Sequence, residues 1–370
     1  MKIFCEKNIL FESINTVMKA VSSKSTVPVL EGILITADDD GTISLFANDL
    51  KNAIKTVIVG EVRESGKVVL NARMFYEIIS KLPDGVVLIS SDENLRTEIQ
   101  LGMSRFEIFG MESEDFPSVE ETEPDNKFVI DKAALKNAIK QIIFSISTDE
   151  KRIALTGALF EIEDKLLKMV TLDGHRLSFR KMEIASTGIK TSFIVPGKTL
   201  SDLLKIVDDA EGSAEIGFDM NRINFKIDNY ILYSGLIDGD IFKYEQILPK
   251  QCDLTVITET KAFNEAILRS SLVITSDVKS PLKFEINGEG IFMSSATKHG
   301  KAQDMLSCEV DGAGLSIGFN HRFLLDALRS CDTAKIKLEF TTSLNPLVIK
   351  GVDRDDFLYL ILPLRLRNEG

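Results

Sequence analysis

Three stretches decide the fold: LNARMFYEIISKL (70–82), VPGKTLSDLLKIV (195–207) and FNHRFLLDALRSC (319–331). In each, a short apolar run leads to a basic residue and then to an amphipathic segment. The basic residues are Arg73, Lys198 and Arg322, so the copies stand 125 and 124 residues apart. A period that long means repetition of whole domains rather than a solenoid of short repeats. Counting from each base, apolar side chains fall at +2, +5, +6 and +9: Phe75, Ile78, Ile79, Leu82; Leu200, Leu203, Leu204, Val207; Leu324, Ala327, Leu328, Cys331. This is the stripe of a helix lying on a core. At about 100° per residue the stripe centres nearly opposite the base, so each cation points away from the core. An acid follows four residues after each base, at Glu77, Asp202 and Asp326. The plain reading is three ion pairs on solvated faces, in the weaker base-before-acid order. A cation in the first turn also opposes the helix dipole, and three such cations suggest an anion lying along these faces.

The repeat divides 370 residues into three similar parts, expected at 1–121, 127–248 and 254–370. The formal charge of −12 and the lack of a Lys/Arg-rich tail argue against nucleic-acid binding unless the bases are gathered on one surface. Residues 112–125 carry seven acids, two prolines and no base, the composition of a solvated connector. A second boundary falls near 248–255. The four cysteines, Cys5, Cys252, Cys308 and Cys331, are far apart and form no CxxC or Cys/His cluster. Cys331 sits on an apolar stripe and reads as core. The start MKIFCEKNIL lacks an apolar signal core and no run reaches membrane-spanning length, which places the chain in the cytoplasm.

A second helix family opens each part. Leu10, Ile14 and Val17 form one stripe, Leu135, Ile139 and Ile142 another, and Phe263 and Ile267 a weaker third. Lys19, Lys140 and Arg269 lie on the far faces. Between helices, 32–49, 158–173 and 283–297 alternate apolar and polar residues around turn signals, and 223–237 and 335–352 are hairpin-like. Strand, helix and several strands, twice per part, predict an α+β fold with helices on one face of antiparallel sheets.

Two motifs could carry chemistry. TLDGHRLSF (171–179) holds Asp173, His175 and Ser178, the residue types of a hydrolytic triad. All three lie within six residues around an Asp-Gly turn signal, where a triad would need groups converging from across a fold. His175 has only His299 and His321 for company, which gives no metal spacing. The C-terminal DFLYLILPLRLRNEG (356–370) places Leu362, Pro363, Leu364 and Leu366 beyond an apolar strand, because proline cannot donate to a ladder. Exposed apolar residues there mark an interaction site, unless the segment is a terminal strand tucked into its own part.

Taken with VPVLEGILI (27–35), NARMFYEIISKLPDG (71–85), SRFEI (104–108), EDFPSVEE (114–121), IVPGKTLSDLL (194–204), LIDGDIFKYEQILPK (236–250) and IGFNHRFLLDAL (317–328), these motifs make the chain resemble the bacterial β sliding clamps, the processivity subunit of DNA polymerase III, from end to end. The resemblance implies a head-to-tail homodimeric ring around duplex DNA, with twelve helices lining the hole and sheets outside. Bases would face the bore: Lys19, Lys24, Arg73, Lys140, Arg152, Lys198, Arg269 and Arg322. Retention would be topological, since strong phosphate binding resists sliding. It also implies a groove for short linear peptides, broadly Gln-led with Leu/Phe anchors, from the replicative polymerase, the clamp loader, other polymerases and repair proteins. Its wall would use Leu155, Leu172, Gly174, His175, Arg176, Leu177, Phe242, Gln246, Ile247, Leu360, Ile361, Leu362, Pro363, Leu364, Arg365 and Leu366. Phe106 of one chain would meet Leu272 and Val273 of the other, with Leu272 on the outward face of its helix. No cofactor and no catalysis are implied.

The chain departs from the family pattern at several points. Leu172 stands where threonine is usual, Phe242 where proline is, Gln246 where a base is, and Leu362-Pro363-Leu364 where Met-Pro-Met is common. Arg367–Gly370 extends past the usual end. At Ile153 and Ala154 some relatives carry aromatic DNA contacts, which do not transfer here. Two rivals remain open: a hydrolase using Asp173, His175 and Ser178, and a peptide-binding scaffold that never encircles DNA.

Overall fold

Each amphipathic stripe becomes a helix entered directly from a strand. The computed structural model describes residues 1–22, 24–119, 123–275 and 280–366. Part of the acidic connector and the Arg367–Gly370 extension lie outside the described residues. The helices are α1 (Lys7–Val17), α2 (Ala72–Lys81), α3 (Lys132–Ile142), α4 (Gly197–Ile206), α5 (Thr260–Ser270) and α6 (His321–Ser330). Side chains cap three of them among the described residues: Asn71 Oδ1 accepts from Met74 N at 3.0 Å before α2, Asp131 Oδ1 from Ala134 N at 2.7 Å before α3, and Asn320 Oδ1 from Arg322 N at 3.0 Å before α6. Such caps satisfy amide groups that the first turn leaves without partners. The stripes are buried as predicted: Phe75 and Ile79, Leu200 and Leu203, Leu324 and Leu328 are all core. Each such side chain contributes about 2 kcal/mol by leaving water.

The chain folds into two compact units. The first comprises Met1–Leu135 with Lys198–Leu236, the second Lys136–Gly197 with everything from Ile237 onward. The middle third of the sequence therefore gives strands to both. In the first unit a five-stranded sheet runs in the order Gly60–Glu64, Lys2–Glu6, Val86–Ser91, Arg96–Leu101, Ser104–Phe109. An eight-stranded sheet runs Asn126–Asp131, Ser213–Phe218, Arg222–Ile227, Tyr230–Gly235, Asn52–Ile58, Ile43–Asn48, Gly32–Ala37, Gly66–Asn71. The second unit holds a nine-stranded sheet: Lys190–Pro196, Gly157–Glu163, Leu166–Leu172, Arg176–Glu183, Phe357–Ile361, Leu347–Gly351, Lys335–Phe340, Leu254–Glu259, Glu309–Gly312. Its four-stranded sheet runs Gly300–Leu306, Gly290–Thr297, Leu282–Asn287, Leu315–Phe319. The pairs that join distant parts of the sequence are antiparallel, Asn52–Ile58 with Tyr230–Gly235 and Arg176–Glu183 with Phe357–Ile361.

Two positions differ from the helical expectation. Lys19 falls beyond α1 in a 3₁₀ turn, Met18–Ala20, where its Nζ donates to Asn15 O at 2.7 Å. Leu272 is not on a helix face: α5 ends at Ser270, and Leu272 stands in the following turn, 80% exposed. A stripe with only Phe263 and Ile267 carries too little periodicity to mark its own end.

Candidate functional site

The helix cations differ in how free they are. Arg73 is 86% exposed and its Nε contacts Glu77 at 3.0 Å, the solvated pair expected. Arg322 is exposed, but its +4 acid is engaged elsewhere: Asp326 Oδ2 accepts from Arg176 Nη1 at 2.7 Å. Lys198 is only 43% exposed and is held by Asp202 at 2.6 Å and Asp49 at 2.9 Å. Burial alone would lower its pKa; the two carboxylates outweigh that and raise it. Asp202 is buried, not solvated. Lys19 titrates below the ordinary lysine value, first through burial and then through Lys205, with Asp202 opposing both. Lys24 and Lys140 are exposed, and Arg269 is tied to Asp304 at 2.7 Å. Arg152, expected to face DNA, lies on the LDGHRL turn: its Nη2 donates to Asp173 O at 3.2 Å and its Nε to Asp149 at 3.0 Å.

The same turn is hydrogen-bonded to the C-terminal tail in the second unit. Asp173 Oδ1 accepts from His175 N at 2.9 Å and Arg176 N at 3.1 Å, which closes the turn over Gly174 at φ 92°. Arg176 Nε reaches Asp173 Oδ2 at 2.9 Å, and its guanidinium lies 4.5 Å from the centre of the Phe323 ring. His175 stacks on Phe323 at 6.1 Å between centroids. The tail is hydrogen-bonded to this wall: Leu362 N donates to His175 O at 2.8 Å, and Leu364 N to Gly318 O at 2.8 Å. A side chain at Gly318 would meet Leu366 Cδ2 at 2.7 Å, so the Leu366 side chain would have to turn aside.

Leu177 and Leu360 stand opposite each other across the ladder and are buried with Leu159, Val170 and Tyr244, while Leu172 and Phe242 pack on them partly exposed. Leu155 is half-buried. Gly174, Gln246, Ile247, Leu362, Leu364 and Arg365 are exposed, with Pro363 and Leu366 half-buried. Ile361 is misplaced in the expected wall: it is buried in the other core cluster with Phe357 and Tyr359, on the opposite face of its strand. The C-terminal alternative proves true in part, because the terminal strand is buried through Ile361 while the apolar tail beyond it is exposed.

Asp173, His175 and Ser178 are not assembled for catalysis. The Asp173 carboxylate is occupied by its own turn and Arg176, and Ser178 Oγ is buried against Ser145 Oγ at 2.6 Å. His321 is held below its ordinary pKa by burial and by Arg322.

Sequence reasoning missed the buried polar contacts. Lys132 is 1% exposed, with Nζ 2.7 Å from Asp208 and 2.9 Å from Asp228, and the hydrogen bonds it donates to both raise its pKa. Asn52 Nδ2 donates to Asp202 Oδ2 at 3.0 Å, and Thr199 Oγ1 donates to Asn52 Oδ1 at 2.8 Å. Tyr244 OH donates to Glu161 at 2.8 Å and pins the chain segment that carries Phe242. The one available signal for Lys132 was that it opens α3 as the only base in the first turn, where the dipole disfavours it.

The strands Ser104–Phe109 and Gly300–Leu306 each form one edge of a sheet. Phe106 is exposed on the first. Val273 is half-buried, and its carbonyl accepts from Thr297 Oγ1 at 3.1 Å.

Comparison with known proteins gives matches across the chain. Family models described as the N-terminal, central and C-terminal domains of the DNA polymerase III beta subunit match residues 1–120, 129–243 and 245–365. The beta sliding clamp of Halalkalibacterium halodurans is 32% identical over 379 residues, covering 99% of this chain and 100% of that protein. The sliding clamp structure from Bacillus subtilis is 31% identical with a TM-score of 0.96, covering 99% and 100% of the two chains. A structure from Eubacterium rectale described as a putative DNA polymerase III beta subunit is 35% identical with a TM-score of 0.95, covering 98% and 99%.

Proposed function

We propose, from the premise that this chain belongs to the DNA polymerase III beta subunit family of bacterial sliding clamps, that it closes with a second copy into a ring and recruits its partners through the tail groove. The protein is a DNA sliding clamp. The matches run the length of the chain, which leaves the scaffold alternative without support. Family members of this kind act as processivity factors.

Ring closure is supported by the repeat itself. Two strand pairs join distant parts of the sequence, with Ala53 opposite Tyr233 and Leu177 opposite Leu360. One period on, Lys301 is the counterpart of Ala53 and Leu177. One period back, Glu107 is the counterpart of Tyr233. Both lie on the edge strands Gly300–Leu306 and Ser104–Phe109. A second chain supplies the third pair, with Lys301 facing Glu107 and Ala302 facing Phe106 of the other copy. A head-to-tail contact must close, and two chains of three repeats close it. The exposed Leu272 and Phe106 then gain cover.

Within the ring, Lys19, Lys24, Arg73, Lys140, Arg269 and Arg322 would offer weak, sequence-independent contacts to phosphates, while Lys198 is held by Asp202 and Asp49. Each such contact adds salt-sensitive affinity, so a few exposed bases among acids permit sliding. Partner capture works by effective concentration, converting a weak polymerase–DNA contact into a nearly intramolecular one. The replicative polymerase, the clamp loader, other polymerases and repair proteins are the proposed partners, acting in the cytoplasm. The single observation that carries peptide capture is the hydrogen bond from Leu362 N to His175 O, which joins the apolar tail to the LDGHRL turn as two walls of one groove.

The test is topological. Clamps loaded on nicked circular plasmid should fall off when the plasmid is linearised, and retention after cutting would sink the ring. Light scattering should give about twice the chain mass of 41.1 kDa.

A further inference from the structure

A cavity of about 410 Å3 lies in the first unit, within the size range of roughly 300–1,000 Å3 typical of ligand sites. Its lining includes Asn48, Leu50–Ala53, the connector residues Pro117–Val119, and Phe218, Ile223 and Tyr233. Asn48, Leu50–Ala53 and Tyr233 are the counterparts, 124 to 127 residues earlier, of Leu172, Gly174–Leu177 and Leu360 in the tail groove.

The correspondence holds at the level of hydrogen bonds. Asp49 Oδ1 accepts from Lys51 N at 3.0 Å and Asn52 N at 2.8 Å, as Asp173 Oδ1 does from His175 N and Arg176 N. Ala53 faces Tyr233 where Leu177 faces Leu360. The isolated bridge Val69–Met111 repeats as Ile194–Ile237 and Gly318–Leu364, so the connector after each repeat takes the same course as the tail. Asn48 Nδ2 donates to Pro117 O at 3.2 Å and holds the connector at the cavity wall.

Leu50 is the second observation. It occupies the position of Gly174, at φ 70°, a left-handed conformation that a leucine adopts only under strain. It is also 68% exposed on the cavity rim. Glycine would relieve the strain and asparagine would tolerate it. This backbone places a large apolar side chain on the rim, where an apolar anchor entering the cavity would meet it. Lys51 stands exposed next to it, in the place of His175.

We infer that this cavity is a second peptide groove, which takes a short extended peptide with a leucine or phenylalanine anchor and an acidic residue beside it. The anchor packs between Leu50 and Tyr233, and Lys51 meets the acid. The inference rests on the reading of the tail groove as a peptide site, since the repeat carries one over to the other. Ala53 in place of Leu177 deepens the floor, and Asn48 in place of Leu172 makes the wall more polar, so the second groove binds more weakly.

The experiment is a calorimetric titration of the full chain with a synthetic pentapeptide of N-terminal glutamine, leucine and phenylalanine anchors and one aspartate. The expected stoichiometry is two peptides per chain, the second at least tenfold weaker. A chain lacking residues 363–370 should keep the weaker site, and the variant carrying Leu50→Gly and Lys51→Glu should keep only the tighter one. Glycine suits the backbone at position 50, so that variant should melt at or above the parent temperature. In the tail-deleted chain the methyl resonances of Leu50 should shift on titration. One peptide per chain, with none bound after tail deletion and no shift at Leu50, overturns the second groove. Unchanged tight binding after tail deletion overturns instead the assignment of the tail groove.

Discussion

The first unit holds Asp49, Asn52, Lys198 and Asp202 where the second holds Asp173, Arg176, Arg322 and Asp326. In both, the residue that closes the turn reaches the acid on the neighbouring helix: Asn52 to Asp202 at 3.0 Å, Arg176 to Asp326 at 2.7 Å. The difference lies in charge. Asn52 is neutral and leaves the buried Asp202 needing a cation, so Lys198 is drawn in and held by Asp202 and Asp49. Arg176 brings its own charge, which neutralises Asp326 and leaves Arg322 exposed. One residue of the turn thus decides whether the helix cation is spent on the fold or stays available to an anion. The three cations that look alike in sequence are therefore not alike.

This comparison can be broken at its strongest point first. Arg176→Ala takes the ion-pair partner from Asp173 and leaves Asp326 only Arg329 at 3.8 Å, and denaturant unfolding should show a loss of about 3 kcal/mol together with loss of peptide binding. Stability unchanged within error would mean that the guanidinium is not what holds the turn. Next, Lys198→Ala should cost about 2 kcal/mol, a figure reduced for its partial exposure and for the remaining Lys205 contact to Asp202 at 3.1 Å. Arg322→Ala should stay within about 0.5 kcal/mol yet shorten clamp residence on circular DNA. Equal losses in stability from the two would erase the distinction. Asn52→Arg, placed in the Lys198→Ala background, should recover roughly 1 kcal/mol by supplying the charge that Arg176 supplies in the other unit. No recovery would show that geometry, not charge, separates the two sites.

The smallest effect is the pH dependence. Lys198 has a raised pKa in the folded state, so its contribution is complete below the ordinary lysine value of 10.5 and is lost as pH rises through the higher folded value. Stability measured from pH 9 upward should therefore fall more steeply in the parent than in Lys198→Ala, while Arg322→Ala should follow the parent.

Much of the fold was legible because its signals are local. The +2, +5, +6, +9 stripes are buried except at Ile78, Leu204 and Cys331, which are half-buried, and the alternating segments 32–49, 158–173 and 283–297 became hairpins Gly32–Ala37 with Ile43–Asn48, Gly157–Glu163 with Leu166–Leu172, and Leu282–Asn287 with Gly290–Thr297. The tail groove was legible in part. Leu172, Leu177 and Leu360 come together with the turn, but Ile361 faces the other way, since adjacent strand residues point to opposite faces. Arg152 could be given a direction only by seeing that it covers Gly174 and donates to Asp173 O.

By itself the sequence determined periodicity: which residues form helices and hairpins, which face of each is apolar, and that the pattern occurs three times. These follow from side-chain spacing along the chain, which needs no distant partner to be read. Tertiary structure alone decided the pairing of charges. Lys132 meets Asp228 across 96 residues, and Arg176 meets Asp326 across 150. A buried ion takes its partner from whatever part of the chain the fold returns to it, and that choice leaves no trace in local spacing.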